Sequence, residues 1–218
     1  SVIISGNILK KENIKKYSTK FYKILDNIEK SDGSVFIFLE DIKGIGVELF
    51  TEILKMNGYN QYQVTNKNDY KNFIVLAGEK DMQERKQLIQ LFNQKKNHDG
   101  SIIKIILGSA VTKESVTFKS LKEIHIVNYQ YNLSTIEQII GRGVRHCSHE
   151  FIKKEDRNVK IFKYVTSLPN IVEEIKILHP SYKSKTQIKK ALKKEMLEDQ
   201  NREEEDKYFK NYKLDNNE

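Results

Sequence analysis

Ile14, Tyr17, Phe21, Ile24, Leu25 and Ile28 recur at three- and four-residue intervals, so the chain opens with a helical lead-in over about 10–32, closed by Gly33. Ser34 to Leu39 is a short, almost wholly apolar run, the pattern of a strand covered on both faces. A second helix follows through Leu49, Phe50, Ile53 and Leu54, with Gly58 where a C-terminal cap belongs. Phe73–Ala77, Ile102–Leu107, Glu123–Asn128 and Val159–Val165 read as further strands. Asp81 with Glu84 resembles a capping box that opens a helix through Leu88, Leu91 and Phe92. Ser134 with Glu137 repeats the device before Ile136, Ile139 and Ile140, and Pro169 suits the first turn of a last helix. Apolar strands alternating with amphipathic helices predict an α/β domain, a central parallel sheet with helices on both faces. That domain is expected over 1–180. From Lys183 onward charges dominate, so 181–218 is expected to be a charged helical or disordered extension.

Composition narrows the classes. Apolar residues are 38% and charged ones 31%, a balance that excludes collagen-like, coiled-coil and wholly disordered chains. The 38 Lys and Arg against 30 Asp and Glu leave a net charge of +8, which favours a polyanionic partner. One cysteine makes no internal disulfide and suits a reducing compartment. No apolar stretch reaches the length of a membrane span, so no membrane partner is expected. The opening Ser-Val-Ile-Ile-Ser, without Met or a leader, reads as an excised fragment of an intracellular protein.

Three motifs fall short of a functional site. Glu40-Asp41 after an apolar strand resembles a Mg²⁺-holding acidic pair, but no glycine-rich loop ending Gly-Lys-Ser/Thr accompanies it. Gly44-Ile45-Gly46 hints at dinucleotide binding, yet the third glycine of that fingerprint falls on Leu49. His146, Cys147 and His149 lack the second knuckle of a structural zinc site, so no metal is expected.

The segment Gln138 to Arg145 is different. Only five of the 38 basic residues are Arg, and two of them, Arg142 and Arg145, stand here beside two glycines. A continued helix places Gln138, Arg142 and Arg145 at i, i+4 and i+7 on one stripe, with Ile136, Ile139, Ile140 and Val144 on the core side. Gly141 and Gly143 each cost about 1 kcal/mol against Ala in a helix interior, which makes sense where backbone or ligand comes close. Paired guanidinium forks beside a Gln suit a phosphate chain. The plainer reading is a solvated basic stripe.

This segment resembles the last signature motif of superfamily 2 helicases, Gln-x-x-Gly-Arg-x-x-Arg. Val35 to Leu39 resembles the strand of motif IV. Leu76-Ala77-Gly78, Glu84-Arg85 and Phe92-Asn93 are similar to the Swi/Snf-type segment, and Ile106 to Ser109 with Lys113 to Phe118 resembles motif V. Lys16 to Tyr22, Asn97 to Gly100, Glu123 to Ile126, Asn132 to Ser134 and Arg145 to His149 resemble the large-DNA-virus branch. That branch includes poxvirus nucleoside triphosphate phosphohydrolase I and the early transcription factor small subunit. The match runs over roughly residues 5 to 170. It departs at Ser115, where relatives carry Gly, and at Glu79-Lys80, where they carry Ser-Thr.

The resemblance implies a RecA-like second motor lobe. It implies ATP with Mg²⁺ as cofactor, bound mainly by a first lobe whose phosphate loop and Asp-Glu motif do not occur here, so the fragment alone is expected to be inactive. On this match Arg142 and Arg145 meet the triphosphate and Gln138 positions them or the attacking water. Glu114, Ser115 and Gly141 lie at the nucleotide. Gly78, Lys80, Ser109 and Lys113 lie along a DNA or RNA backbone. The implied partners are that nucleic acid, the N-terminal RecA-like lobe of the same protein and a viral RNA polymerase, in host cytoplasm or virion during viral transcription. The competing expectation is a non-catalytic scaffold, derived from a helicase lobe, that binds nucleic acid or a polymerase.

Overall fold

The structure, a computed structural model, describes residues 7–62, 71–77, 82–109 and 116–166. The chain divides into two compact units, Ser1–Val165 and Thr166–Glu218. The final helix expected after Pro169 and the charged extension lie outside the described residues, as does the Asp81 end of the first capping box.

Helices α1 (Lys11–Ile14) and α2 (Thr19–Lys30) replace the single helical lead-in. The break is chemical: the Ser18 hydroxyl accepts from Phe21 N–H and caps α2 afresh. Strand β1 (Ser34–Phe38) leads to α3 (Val47–Met56). The turn that ends α3 is a Schellman motif, with Tyr59 N–H on Leu54 carbonyl and Gly58 N–H on Lys55 carbonyl. Gly58 takes the required left-handed conformation at φ 81°.

The remaining elements are β2 (Asn60–Gln61), β3 (Asn72–Leu76), α4 (Met82–Phe92), β4 (Ile105–Gly108), β5 (Leu121–Ile126), α5 (Leu133–Ile140) and β6 (Lys160–Lys163). Strand β2 was not expected, being two polar residues at a sheet edge. The cap of α5 is Asn132, whose side chain accepts from Ser134 N–H; the expected capping residue, Ser134, is the one being capped.

Among the described residues the six strands form one all-parallel sheet in the order β2-β3-β4-β1-β5-β6. β1 sits near its middle, and its alternation splits the core in two. Val35, Ile37 and Leu39 face α2 and α3, against Ile24, Leu25, Ile28, Phe50 and Ile53. Phe36 and Phe38 face α4 and α5, against Leu88, Phe92, Phe118 and Ile139. Each of these large side chains contributes about 1.5–3 kcal/mol by leaving water.

One stretch of the first core layer is polar. His125 and Glu123 lie buried on β5, and Tyr164, just past β6, reaches over them. Asn27 Nδ2 donates to the Tyr164 hydroxyl at 2.9 Å, so that hydroxyl gives its own proton to His125 Nδ1 at 2.7 Å. His125 Nε2–H then donates to Glu123 at 3.1 Å. Burial pushes the Tyr164 phenol up to about 12, so it keeps that proton. Burial also pushes the imidazole of His125 below its ordinary value, outweighing the opposing pull of Glu123.

Candidate functional site

The loop that carries the arginines begins where α5 ends. The expected single stripe of Gln138, Arg142 and Arg145 along one helix is not what forms: the helix stops at Ile140, with Gly141 as its cap. Tertiary bonds redirect the chain. Phe118 N–H takes the Arg142 carbonyl at 2.8 Å, a partner from outside the helix. Gly143 then presses onto β5 so closely that a Cβ there falls 2.6 Å from Leu121 Cδ1. Val144 is exposed and does not join the core, whereas Ile139 is buried and Ile136 and Ile140 pack against it. The glycine at 143 is therefore a close-packing residue.

Ser148 ties the loop shut from beneath. Its buried hydroxyl accepts from Arg145 N–H at 3.2 Å and lies 2.8 Å from His149 Nδ1. It also stands within bonding distance of the Gly143 and Arg145 carbonyls. His149 Nε2 reaches the Leu121 carbonyl at 2.8 Å, so Nε2 carries the proton and Nδ1 accepts. Ser148 carbonyl takes Ser120 N–H, which pins the loop to the start of β5. His149 thus has a place in the loop's own hydrogen bonds. Among the described residues no group of three or more His, Cys, Asp or Glu is arranged to hold a metal.

The side chains then diverge. Arg142 is half-buried, while Arg145 is exposed and donates from a guanidinium nitrogen to Thr117 Oγ1 at 2.9 Å. Burial and, after it, the neighbouring charge of Arg145 lower the Arg142 guanidinium from its ordinary value. Gln138 is exposed in the last turn of α5, one turn before Arg142. Gln138, Gly141, Arg142 and Arg145 therefore share one end of one helix, together with Thr117, whose contact is set by tertiary packing.

Of the nucleic-acid candidates only Ser109 falls among the described residues. It follows β4 directly, at the carboxyl edge of the sheet. Its side chain is wholly buried there. Gly78, Lys80, Lys113, Glu114 and Ser115 lie outside the described residues. Because β4 and β5 are both parallel to β1, the segment between them leaves the carboxyl edge at Ser109 and arrives at the amino edge at Thr117, beside Arg145.

Two motifs set aside have structural roles. The Glu40 backbone N–H is held by Asn128, and its carboxylate accepts from Gln130. Gly46 starts α3 hard against the preceding loop, where a Cβ falls 1.9 Å from the Asp41 carbonyl oxygen. No helix among the described residues is long and apolar enough to cross a membrane.

Residues 18–147 match the family described as "Helicase conserved C-terminal domain". An Acanthamoeba polyphaga mimivirus protein named "Putative ATP-dependent RNA helicase R563" is 35% identical over 158 residues, 72% of this chain and 27% of that protein. The African swine fever virus (isolate Pig/Kenya/KEN-50/1950) "Early transcription factor large subunit homolog" is 27% identical over 177 residues, 71% of this chain and 16% of its own length. The chain thus spans about a quarter or less of these relatives. The fold is shared with the crystal structure of the C-terminal part of the Fun30 ATPase domain, at a TM-score of 0.50 and 18% identity, covering 72% of this chain and 44% of that one. Parallel sheet, two-faced helical cover and matched motifs agree: the chain belongs to the helicase conserved C-terminal domain family, the second RecA-like lobe of superfamily 2 helicases.

Proposed function

We propose that these residues form the second motor lobe of a viral superfamily 2 helicase or translocase, and that Arg142 and Arg145 serve a triphosphate held on a first lobe outside these 218 residues. The observation that supports this most is that both arginines stand on one anchored loop, with Arg145 bonded to Thr117 and close enough for its charge to act on Arg142. Two guanidinium forks on one loop suit a polyanion such as a triphosphate. ATP with Mg²⁺, when bound, supplies the phosphoanhydride bond to be broken. This chain's part is to hold two permanent cations in place, with Gln138 orienting them or the attacking water. Glu114, Ser115 and Gly141 would border the nucleotide, on the strength of the motif match. Gly78, Lys80 and Lys113 would track a DNA or RNA backbone on the same ground, near the carboxyl edge that Ser109 occupies. A role in viral transcription draws support from the likeness to the African swine fever virus factor homolog.

A non-catalytic scaffold is the second reading, favoured by Ser115 standing where relatives carry Gly. Steady-state ATP turnover by the full-length, two-lobed protein decides between them. Arg142→Ala and Arg145→Ala should each lower kcat by about 10³ to 10⁵ with a smaller change in KM, while nucleic-acid binding persists. Wild-type turnover in both variants would remove the finger role, and absence of ATP turnover in the unsubstituted full-length protein would favour the scaffold reading.

A further inference from the structure

The proposed fingers need more than charge; they need a fixed aim. Thr117, Phe118 and Lys119 form the short segment that enters β5, and this segment touches both arginines. Phe118 N–H bonds the Arg142 carbonyl at 2.8 Å, and Thr117 Oγ1 accepts from Arg145 at 2.9 Å. The Arg142 backbone and the Arg145 guanidinium are therefore both held by adjacent residues of a second element.

That segment is itself clamped. Asn93, directly after α4, uses both ends of its amide: Nδ2 donates to the Thr117 carbonyl at 2.8 Å and Oδ1 accepts from Lys119 N–H at 2.7 Å. The two bonds straddle Phe118, whose ring is buried against Phe36 at 5.0 Å and Phe92 at 6.0 Å between centroids. A buried ring below and a two-pronged amide beside it leave the backbone at 117 little freedom. Thr117 is half-buried, and its branched Cβ restricts rotation about χ1. The hydroxyl thus faces Arg145 from a rigid mount, against the repulsion of Arg142.

We infer that the Thr117 hydroxyl, mounted by the Asn93 amide, is a positioning group that holds Arg145 at the angle needed for its contact with the triphosphate. The inference rests on the proposed finger role of Arg145 and adds which residues outside the arginine loop make that role possible. Thr117 does not meet the nucleotide through this contact; it acts through Arg145. A misplacement of about 1 Å at a catalytic group can cost about 10²-fold in rate, which sets the scale of the effect.

The test uses ATP turnover by the full-length protein with Thr117→Val, which keeps the shape and removes the acceptor, and Thr117→Ser, which keeps the acceptor. Thr117→Val should lower kcat by roughly 10- to 100-fold with KM within about twofold, since the contact it aims acts in the transition state. Thr117→Ser should restore turnover to within about threefold of wild type, because the charge-assisted bond remains. In an Arg145→Ala background Thr117→Val should add nothing, as two residues acting through one contact are not additive. Thermal melting of each variant checks that the fold is intact. Should Thr117→Val unfold the domain, Asn93→Asp, which replaces the donor to Thr117 by a carboxylate oxygen facing its carbonyl, takes its place in the same cycle. If Thr117→Val turns over like wild type while Arg145→Ala is impaired, the positioning role is overturned and the finger role stands. An equal loss from Thr117→Val with or without Arg145 also overturns it, because the hydroxyl then acts elsewhere. Wild-type turnover by Arg145→Ala removes the finger role, and the positioning role with it.

Discussion

Lowering the pH from 7.5 to 5 should weaken this domain through a single imidazole. His125 is wholly buried on β5, accepts the Tyr164 proton at Nδ1 and donates from Nε2 to Glu123. Its folded value lies below the ordinary one because burial disfavours the cation more than Glu123 favours it. Around it stand Asn27 from α2, Phe162 and Tyr164 from the β6 segment and Glu123 from β5 itself, with Lys104 near enough to feel the Glu123 charge. The unfolded chain, with His near pKa 6.5, takes up a proton before the folded one does. Stability from this group is therefore complete above about pH 6.5 and falls as the pH drops toward the folded value. The slope is at most about 1.4 kcal/mol per pH unit, so the loss by pH 5 is at most about 2 kcal/mol. Urea unfolding followed by circular dichroism at half-unit steps measures it. His125→Gln removes the titration while keeping an amide that can hydrogen-bond, and should show a flatter profile between pH 6.5 and 5. Parallel losses in wild type and His125→Gln over that range would refute the argument.

Two further substitutions probe close packing. Gly46→Ala forces a Cβ to within 1.9 Å of the Asp41 carbonyl oxygen, the group that accepts Val47 N–H at the start of α3. Overpacking and the strained bond together should cost about 2–4 kcal/mol in urea unfolding, and an unchanged midpoint would refute the close approach. Gly143→Ala meets only side-chain ends, Leu121 Cδ1 at 2.6 Å and Ile124 Cδ1 at 3.3 Å, so a smaller loss of about 1–2 kcal/mol is expected. In the full-length protein the same change should reduce ATP turnover at a temperature where the fold is intact, because the loop bearing Arg142 and Arg145 must lift from β5.

Local chemistry sufficed for much of this protein. Double-faced apolar runs announce central parallel strands, and β1, β3, β4 and β5 form where those runs lie, because a strand covered on both sides has no polar alternation to keep. Gly58 ends α3 because a left-handed residue is needed there, a demand that can be seen in a few neighbouring residues. The Gln138 to Arg145 segment stood out by residue type, and its family membership follows from the order of motifs along the chain.

What packing decided lies between residues far apart in sequence. No periodicity places β1 between β4 and β5, since strand order follows from which faces bury against which helices. Helical spacing alone extends α5 through Arg145, yet the Phe118 amide and the Leu121 side chain, about twenty residues earlier, hold the chain that leaves the helix at Ile140. The same holds for Asn93 and Thr117, ordinary polar residues whose roles come from partners more than twenty residues away, and a hydrogen bond across the fold leaves no repeat in the sequence to read. Glu123 and His125 sat within an apolar strand pattern, and only the arrival of Tyr164 and Asn27 turned that conflict into a satisfied buried chain.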